Sequence, residues 1–436
     1  MTQAIATGSV ELDVPALDGD HQTQGKREAC RSYISALAAA VEDQLRRASY
    51  RPELFADVAY EALRTLPVPA QVDVEALLRL VAASRTLPRQ DDLAANFGDP
   101  PITVYRSREF FISFLIWFDG TTSIHQHNFS GAFRVVQGSS LHCTYRYSPL
   151  ERLGRDIAAG ELRRSSFEVL RPGDTRAIVV GSAFIHSLFH LARPSATVVV
   201  RTYWDYSTEP QFNYERPSLA VAPFQKDEGL TFQLQGLAAL RRLRPPRAVT
   251  EYIAMCSRLD FYRAYRVLHH CYRTFGSDVE AFEEVLAGYC RQEASFGEQL
   301  RRTFAEKRWH DAIVAQRRHL HDPGHRLLLA LALNLEDADE IRVALQSLRP
   351  GTDPPAVIGR WLRELQGLNA AVTEGLTDDA IEHIVATFAH GGLSPTELDA
   401  DGTLAAAVRS PLLSRLVRRD ATRPAAAEPA PVGAAT

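Results

Sequence analysis

Between residues 26 and about 84 the apolar positions recur every three and four residues. The runs SYISALAAAVEDQL (32–45), LFADVAYEALRTL (54–66) and VEALLRLVAA (74–83) each gather them on one helical face. Pro52 and the pair Pro67 and Pro69 separate the runs, because proline lacks the amide proton a helix interior needs. Three helices are predicted. From 103 to 206 the period falls to two. FFISFLIWF (110–118), FRVVQ (133–137), SLHCTYRY (140–147), SFEVL (166–170), RAIVV (176–180), FIHSLFHLA (184–192) and ATVVVRTYW (196–204) are short and rich in β-branched and aromatic residues. Asp119-Gly120, Gly138, Pro172-Gly173-Asp174 and Gly181-Ser182 punctuate them as turns. Strands at this spacing predict one small antiparallel barrel or sandwich.

After Pro217 the helical period returns and holds to about Arg419, in runs such as VTEYIAMCSRL (249–259), AYRVLHHCYRTF (264–275) and HRLLLALALNL (325–335). No fixed-period repeat stands out, so a bundle or solenoid-like layer is expected. The chain therefore reads as α+β in five parts: a disordered N-terminus (1–25), a helical segment (26–100), a β-barrel domain (101–216), a helical domain (217–420) and a disordered Ala/Pro-rich tail (421–436).

Composition narrows the function classes. The 436 residues are 45% apolar and 23% charged, which suits a soluble globular protein, and the net charge of -4 offers no bulk attraction to nucleic acid or an anionic membrane. The basic runs LRRLRPPR (240–247) and LSRLVRR (413–419) are interspersed with acids and read as solvated helix faces, as does the pair Glu283-Glu284. Five scattered cysteines with no CxxC pair argue against a disulfide framework or a cysteine zinc site. Residues 1–20 have neither a basic nor an apolar leader segment, and no apolar run is long enough to span a bilayer. A cytoplasmic location is expected.

The candidate chemistry lies in the histidines of the period-two region. His125 and His127 are two apart just after the Asp119-Gly120 turn, so on a strand both imidazoles point to one side. His186 sits in another strand-like run, and a barrel brings distant strands together. Three neutral imidazoles suit iron, zinc, copper or nickel. His190 shares strand parity with His186 and is read as structural or supporting, while His142 lies on the face opposite Cys143, Tyr145 and Tyr147 and is read as structural or exposed. His319, His321 and His325 surround a helix-breaking Asp322-Pro323-Gly324 turn and need not converge, and His269-His270 point to different sides of a helix.

The stretch WFDGTTSIHQHNFSGAFRVVQGSSLHCTYRY resembles the first motif of the cupins, in the form found in cysteine dioxygenase and related thiol dioxygenases. The matching residues are Trp117, Gly120, Ser123-Ile124-His125-Gln126-His127, Ser130, Gly138 and Tyr147. HSLFHLARPSATVVVRTYW resembles their third-ligand strand and the strand after it. The resemblance covers about residues 103–210. It implies a cupin-type barrel, metal ligands His125, His127 and His186, and a tyrosine facing iron(II) at Tyr203. It also implies a carboxylate-binding arginine, for which Arg106 is preferred over Arg108. Arg201 shares a strand face with Thr197, Val199 and Tyr203 and is read as a second holder of a substrate carboxylate. From Asn128 to Ala132 there is no carboxylate where most cupins place a glutamate, which agrees with the three-histidine thiol dioxygenases. The chain departs from the family where Ala132 replaces the crosslinking cysteine of the animal enzymes, where Arg201 replaces the usual histidine, and where His190 takes a position that is often asparagine in cupins.

Three neutral ligands leave the ion its full 2+ charge and three open positions, so an anionic chelating substrate gains Coulomb energy and makes iron(II) easier to oxidise. The expected function is a mononuclear non-haem iron(II) oxygenase acting with O2 on a small thiol- or amine-bearing acid. Two alternatives stand beside it: a non-redox isomerase, lyase or hydrolase using zinc, manganese or nickel, and a metal-dependent binding or sensor module. In each, the helical domain covers the barrel mouth, forms a homodimer or binds a protein partner.

Overall fold

A computed structural model describes residues 10–11, 21–90, 97–204, 210–223, 226–276, 278–292, 296–368, 370–400 and 404–419. A two-residue strand β1 (Val10–Glu11) precedes three helices, α1 (His21–Arg47), α2 (Phe55–Thr65) and α3 (Val74–Ala83). The first helix thus begins ahead of Lys26, within the stretch read from the sequence as lacking structure. The Ala/Pro-rich tail lies outside the described residues. Asp73 caps α3 by accepting from the Ala76 amide, and the same carboxylate holds Lys26 of α1 at 2.8 Å.

Eleven further strands follow: β2 (Pro101–Arg106), β3 (Phe110–Trp117), β4 (His125–His127), β5 (Gly131–Gln137), β6 (Ser140–Arg152), β7 (Ile157–Leu170), β8 (Thr175–Ile178), β9 (Gly181–His190), β10 (Ser195–Thr202), β11 (Asn213–Glu215) and β12 (Leu219–Val221). They form a six-stranded sheet in the order β1-β2-β3-β10-β5-β8 and a closed antiparallel ring of β11-β12-β7-β6-β9-β4. This is a cupin-type antiparallel barrel, with helices on either side of it in the sequence.

Alternation along the strands sorts the side chains into layers. Ile112, Phe114 and Ile116 of β3 and Ala196, Val198 and Val200 of β10 pack with α1–α3 in one apolar cluster. The opposite faces of the same strands turn inward, where Val199 meets Phe133, Val135, Leu170, Ile178 and Leu188 in a smaller core between the sheets. The ring strands alternate likewise. Leu141, Cys143 and Tyr145 of β6 and Ile185 and Phe189 of β9 face outward into a large cluster with the C-terminal helices.

Those helices are α4 (Glu228–Leu243), α5 (Pro245–Cys256), α6 (Phe261–Phe275), α7 (Val279–Cys290), α8 (Gly297–Gln316), α9 (Pro323–Asn334), α10 (Ala338–Leu348), α11 (Pro354–Gly367), α12 (Asp378–Ala389), α13 (Pro395–Ala400), α14 (Ala405–Arg409) and α15 (Pro411–Val417). Helices α4–α8 pack on Ile157 and Ala159 of β7 and Leu219 and Val221 of β12. Helix α9 carries an unbroken apolar run from Leu327 to Leu333, which fits a helix buried all round, and it lies on the β6–β9 face. Burial of its Leu328, Leu329 and Leu331 contributes about 1.5–3 kcal/mol each. A polar anchor joins this helix to the barrel. The fully buried Arg326 donates to the His190 carbonyl at 2.7 Å and lies 3.4 Å from the Asp119 carboxylate, which Arg317 also contacts at 2.5 Å. Gly120 beside that aspartate needs to be glycine, because a Cβ there would sit 2.2 Å from the Trp117 ring. Among the described residues no helix is long and apolar enough to cross a membrane.

Candidate metal centre

Strands β4 and β9 pair antiparallel with His125 directly opposite His186, and His127 follows on the same face of β4. One ring nitrogen from each of the three lies within 4.8 Å of the others, and among the described residues this is the group of ligand-type side chains that converges in this way. All three imidazoles are buried, at 2%, 6% and 3% exposure for His125, His127 and His186. Phe97 packs edge-on against His125, Phe184 covers His186, and Phe129 abuts His127. The ion-sized gap is therefore walled by aromatic rings.

The hydrogen bonds set the ring states. His125 Nδ1 lies 2.8 Å from the Ser123 carbonyl, which can only accept, so Nδ1 carries the proton and Nε2 keeps its lone pair. His127 Nδ1 and His186 Nε2 are buried with no hydrogen-bond partner. An orphaned buried nitrogen carries an uncompensated desolvation cost, and a cation among the three rings would relieve it. Burial also keeps the rings neutral. It lowers His125 to about 4, and it holds His127 and His186 well below the ordinary value, helped by the neighbouring imidazoles and, for His127, by the Arg201 charge. Neutral nitrogen donors, an orphaned pair of lone pairs and mutual proximity fit a single transition-metal ion.

His186 is held from behind. Its Nδ1 lies 3.1 Å from His142 Nε2, and His142 Nδ1 lies 3.0 Å from the Glu168 carboxylate. Arg176 Nε donates to the same carboxylate at 2.8 Å. The chain is consistent when Glu168 accepts from His142 and His142 accepts from His186, which leaves the His186 Nε2 lone pair free. Glu168 is pushed down to about 2, first by the His142 hydrogen bond and then by Arg176. The sequence pattern put His142 on the correct face but read it as structural or exposed, whereas it is 1% exposed and touches His186. Glu168 lies directly across from His142 in the β6–β7 register, a pairing that strand periodicity alone does not reveal. The parity of His142 within its strand was the available signal; its depth was not.

The remaining candidates lie around this centre in different ways. Arg201 stacks on Phe129 with its guanidinium 3.5 Å from the ring centroid, and Phe129 in turn contacts His127. Arg106 and Arg201 both lie over Phe111, and Arg106 also lies over the Tyr203 ring. The Tyr203 hydroxyl donates to the Ser107 carbonyl at 2.6 Å, which commits it to the β2–β3 turn in this structure. Arg108 lies in that turn, exposed and paired with Glu109. His190 is separate from the trio. Its Nδ1 meets the Ser140 and Ser195 hydroxyls at 2.9 and 2.6 Å, and its ring stacks on Trp117. His325 pairs with Glu364 and His321 with Arg193, so that helical cluster does not converge.

No family model and no curated protein sequence matches the chain. Solved structures similar to parts of it include cupin-domain proteins. One is a cupin-2 domain protein from Shewanella frigidimarina, at 12% identity over 25% of this chain and 84% of that one, with a TM-score of 0.17. Another is a DMSP lyase, at 16% identity over 41% of this chain and 96% of that one, with a TM-score of 0.23. A third is a hydroquinone 1,2-dioxygenase from a Sphingomonas species, at 16% identity over 26% of this chain and 70% of that one, with a TM-score of 0.21. Likenesses this distant carry no argument about activity, and the likeness to thiol dioxygenases rests on the sequence motifs alone. The chain's own geometry establishes a cupin-type barrel with a three-histidine site.

Proposed function

We propose that the chain is a mononuclear metal enzyme of the oxygenase type, holding iron(II) with His125, His127 and His186 and oxidising a small thiol- or amine-bearing acid with O2. The observation that carries this reading is the pair of partnerless buried nitrogens on His127 and His186, in a trio with no carboxylate. Bound there, iron would supply a redox-active centre with open positions for the substrate and O2.

The protein's own residues do the rest. His142 and Glu168 hold the His186 ring in one tautomer and one orientation. Arg201 and Arg106, layered on Phe111, Phe129 and Tyr203, provide positive charge on the side of His127 and favour an anionic substrate. Phe97, Phe129 and Phe184 keep water scarce around the trio and strengthen every charge interaction inside it. The division of the chain near residues 100 and 216, with the barrel as the catalytic unit, belongs to the same proposal.

The test is anaerobic purification of the full chain, quantification of bound metal, and oxygen-electrode measurements with a panel of small thiol carboxylates and amino acids. About one iron per chain and oxygen uptake with a panel member are the expected results. Chains free of transition metal after reconstitution with iron(II), or iron-loaded chains without oxygen uptake across the panel, would overturn the reading.

A further inference from the structure

His186 and Ser187 are consecutive on β9 and so face opposite sides of the ring. Next to Tyr145, which Ser187 contacts, a cavity of about 310 Å³ lies between β6 and β7 of the barrel and the C-terminal helices. Its wall includes Tyr145, Leu162 and Pro217, together with five arginines (Arg164, Arg216, Arg415, Arg418 and Arg419) and two glutamates, Glu306 and Glu336. Five positive and two negative groups leave an excess of three guanidiniums in the lining.

Two carboxylates outside the lining, Glu340 and Glu397, reduce that excess from three to one. Glu340 holds Arg164 at 2.9 Å, Glu306 holds Arg415 at 3.4 Å, and Glu397 holds Arg419 at 3.2 Å. Arg216 and Arg418 have no such partner: among the described residues no carboxylate lies within ion-pair distance of either. Arg216 is half-buried and donates to the Tyr145 hydroxyl at 3.4 Å and the Asn334 carbonyl at 3.3 Å. A guanidinium cannot shed its charge as an imidazole can; Glu306 and Glu336 favour the Arg216 charge from beyond ion-pair distance, and no carboxylate occupies its forked donors, which leaves them to an anion. The forked donors of arginine match the oxygens of phosphate and carboxylate groups, and the cavity has the volume of a small metabolite.

We propose that this cavity binds a small organic dianion, phosphorylated or dicarboxylic, held by Arg216 and Arg418 at the junction of the barrel and the helices. The site is separate from the histidine centre: its barrel wall comes from Tyr145 of β6 and Leu162 and Arg164 of β7. The Tyr145 hydroxyl touches both Arg216 and, at 3.2 Å, Ser187, so an anion on Arg216 is one side chain removed from β9.

The test uses the full chain and isothermal titration with inorganic phosphate and with succinate, at ionic strength held constant with chloride. Saturable binding of one of the two is expected, and which one saturates distinguishes the phosphorylated from the dicarboxylic class. Arg418→Gln, at an exposed position, is expected to weaken binding about tenfold or more, and Arg216→Gln to remove it. His186→Ala is expected to leave it within about twofold, because the histidines face the other side. Absence of saturation with both anions, or unchanged affinity in Arg418→Gln, would overturn the proposal. The second criterion holds even where Arg216→Gln fails to fold.

Discussion

The inside and the outside of the barrel carry polar groups that meet burial in opposite ways. Inward, three neutral imidazoles sit together, and His127 and His186 each hold a buried nitrogen without a hydrogen-bond partner. Outward, guanidiniums line a cavity where they stay charged, three of them paired with carboxylates. The barrel wall thus separates a site shaped by pKa depression from one shaped by the impossibility of it. A buried histidine can shed its proton; a buried arginine cannot.

The largest expected effect separates the inner site from its look-alike. His186→Ala should reduce bound metal from about one ion per chain to trace levels, measured by plasma mass spectrometry, whereas His190→Ala should keep it. The opposite pattern would move the third ligand to His190. Next in size is an acid effect to which the inner face contributes. His125 and His190 have folded values lowered to about 4 and about 3 by burial, while in the unfolded chain they return to the ordinary 6.5. The unfolded state therefore takes up protons first. Their stability contribution is full above about pH 6.5 and is lost as pH falls toward those folded values, at up to about 1.4 kcal/mol per pH unit per group. Urea unfolding of the metal-free chain at about pH 7 and pH 5 should show this loss, and His190→Phe should make the slope shallower. An unchanged slope would remove His190 from the account. The guanidiniums of the outer face contribute nothing to such a slope in this range.

The smallest effects concern the relay behind His186. His142→Leu should lower metal affinity about 10- to 100-fold without loss of the fold, and Glu168→Gln should do so by less, about tenfold or under. Competition with a chromogenic chelator measures both. Equal affinity in all three proteins would show that the relay is only packing.

Much of the inner face was legible in the chain. The period-two runs marked the strands, and the i, i+2 spacing of His125 and His127 fixed a shared side whatever the tertiary details. The Asp119-Gly120 turn was legible too, although the reason for its glycine, the Trp117 ring, required the fold. His142 was misread because parity gives a side but not depth, and only the β6–β9 pairing brings it against His186. The outer cavity was not legible. Arg164, Arg216 and Arg418 come from three elements far apart in sequence, and the run at 413–419 reads as a solvated basic face until α15 is docked. There Arg415 contacts Glu306 and Arg418 and Arg419 line the wall. Tyr203 shows the limit from the other side, since strand parity gives its face but not the turn carbonyl that takes its hydroxyl.

Helix α9 grips β9 at two points. Near its start Arg326 holds the His190 carbonyl, and at its end the Asn334 amide oxygen accepts from Tyr145 at 3.0 Å and from Ser187 at 3.5 Å. The helical span between the two grips is roughly 12 Å, and the strand span from Ser187 to His190 is about 10 Å. The lengths match, and helix and strand run in opposite directions. Helix α9 therefore works as a splint: the segment next to His186 cannot slide along its neighbours while both grips hold, so the alignment of the innermost ring depends on a helix well over a hundred residues further along the chain.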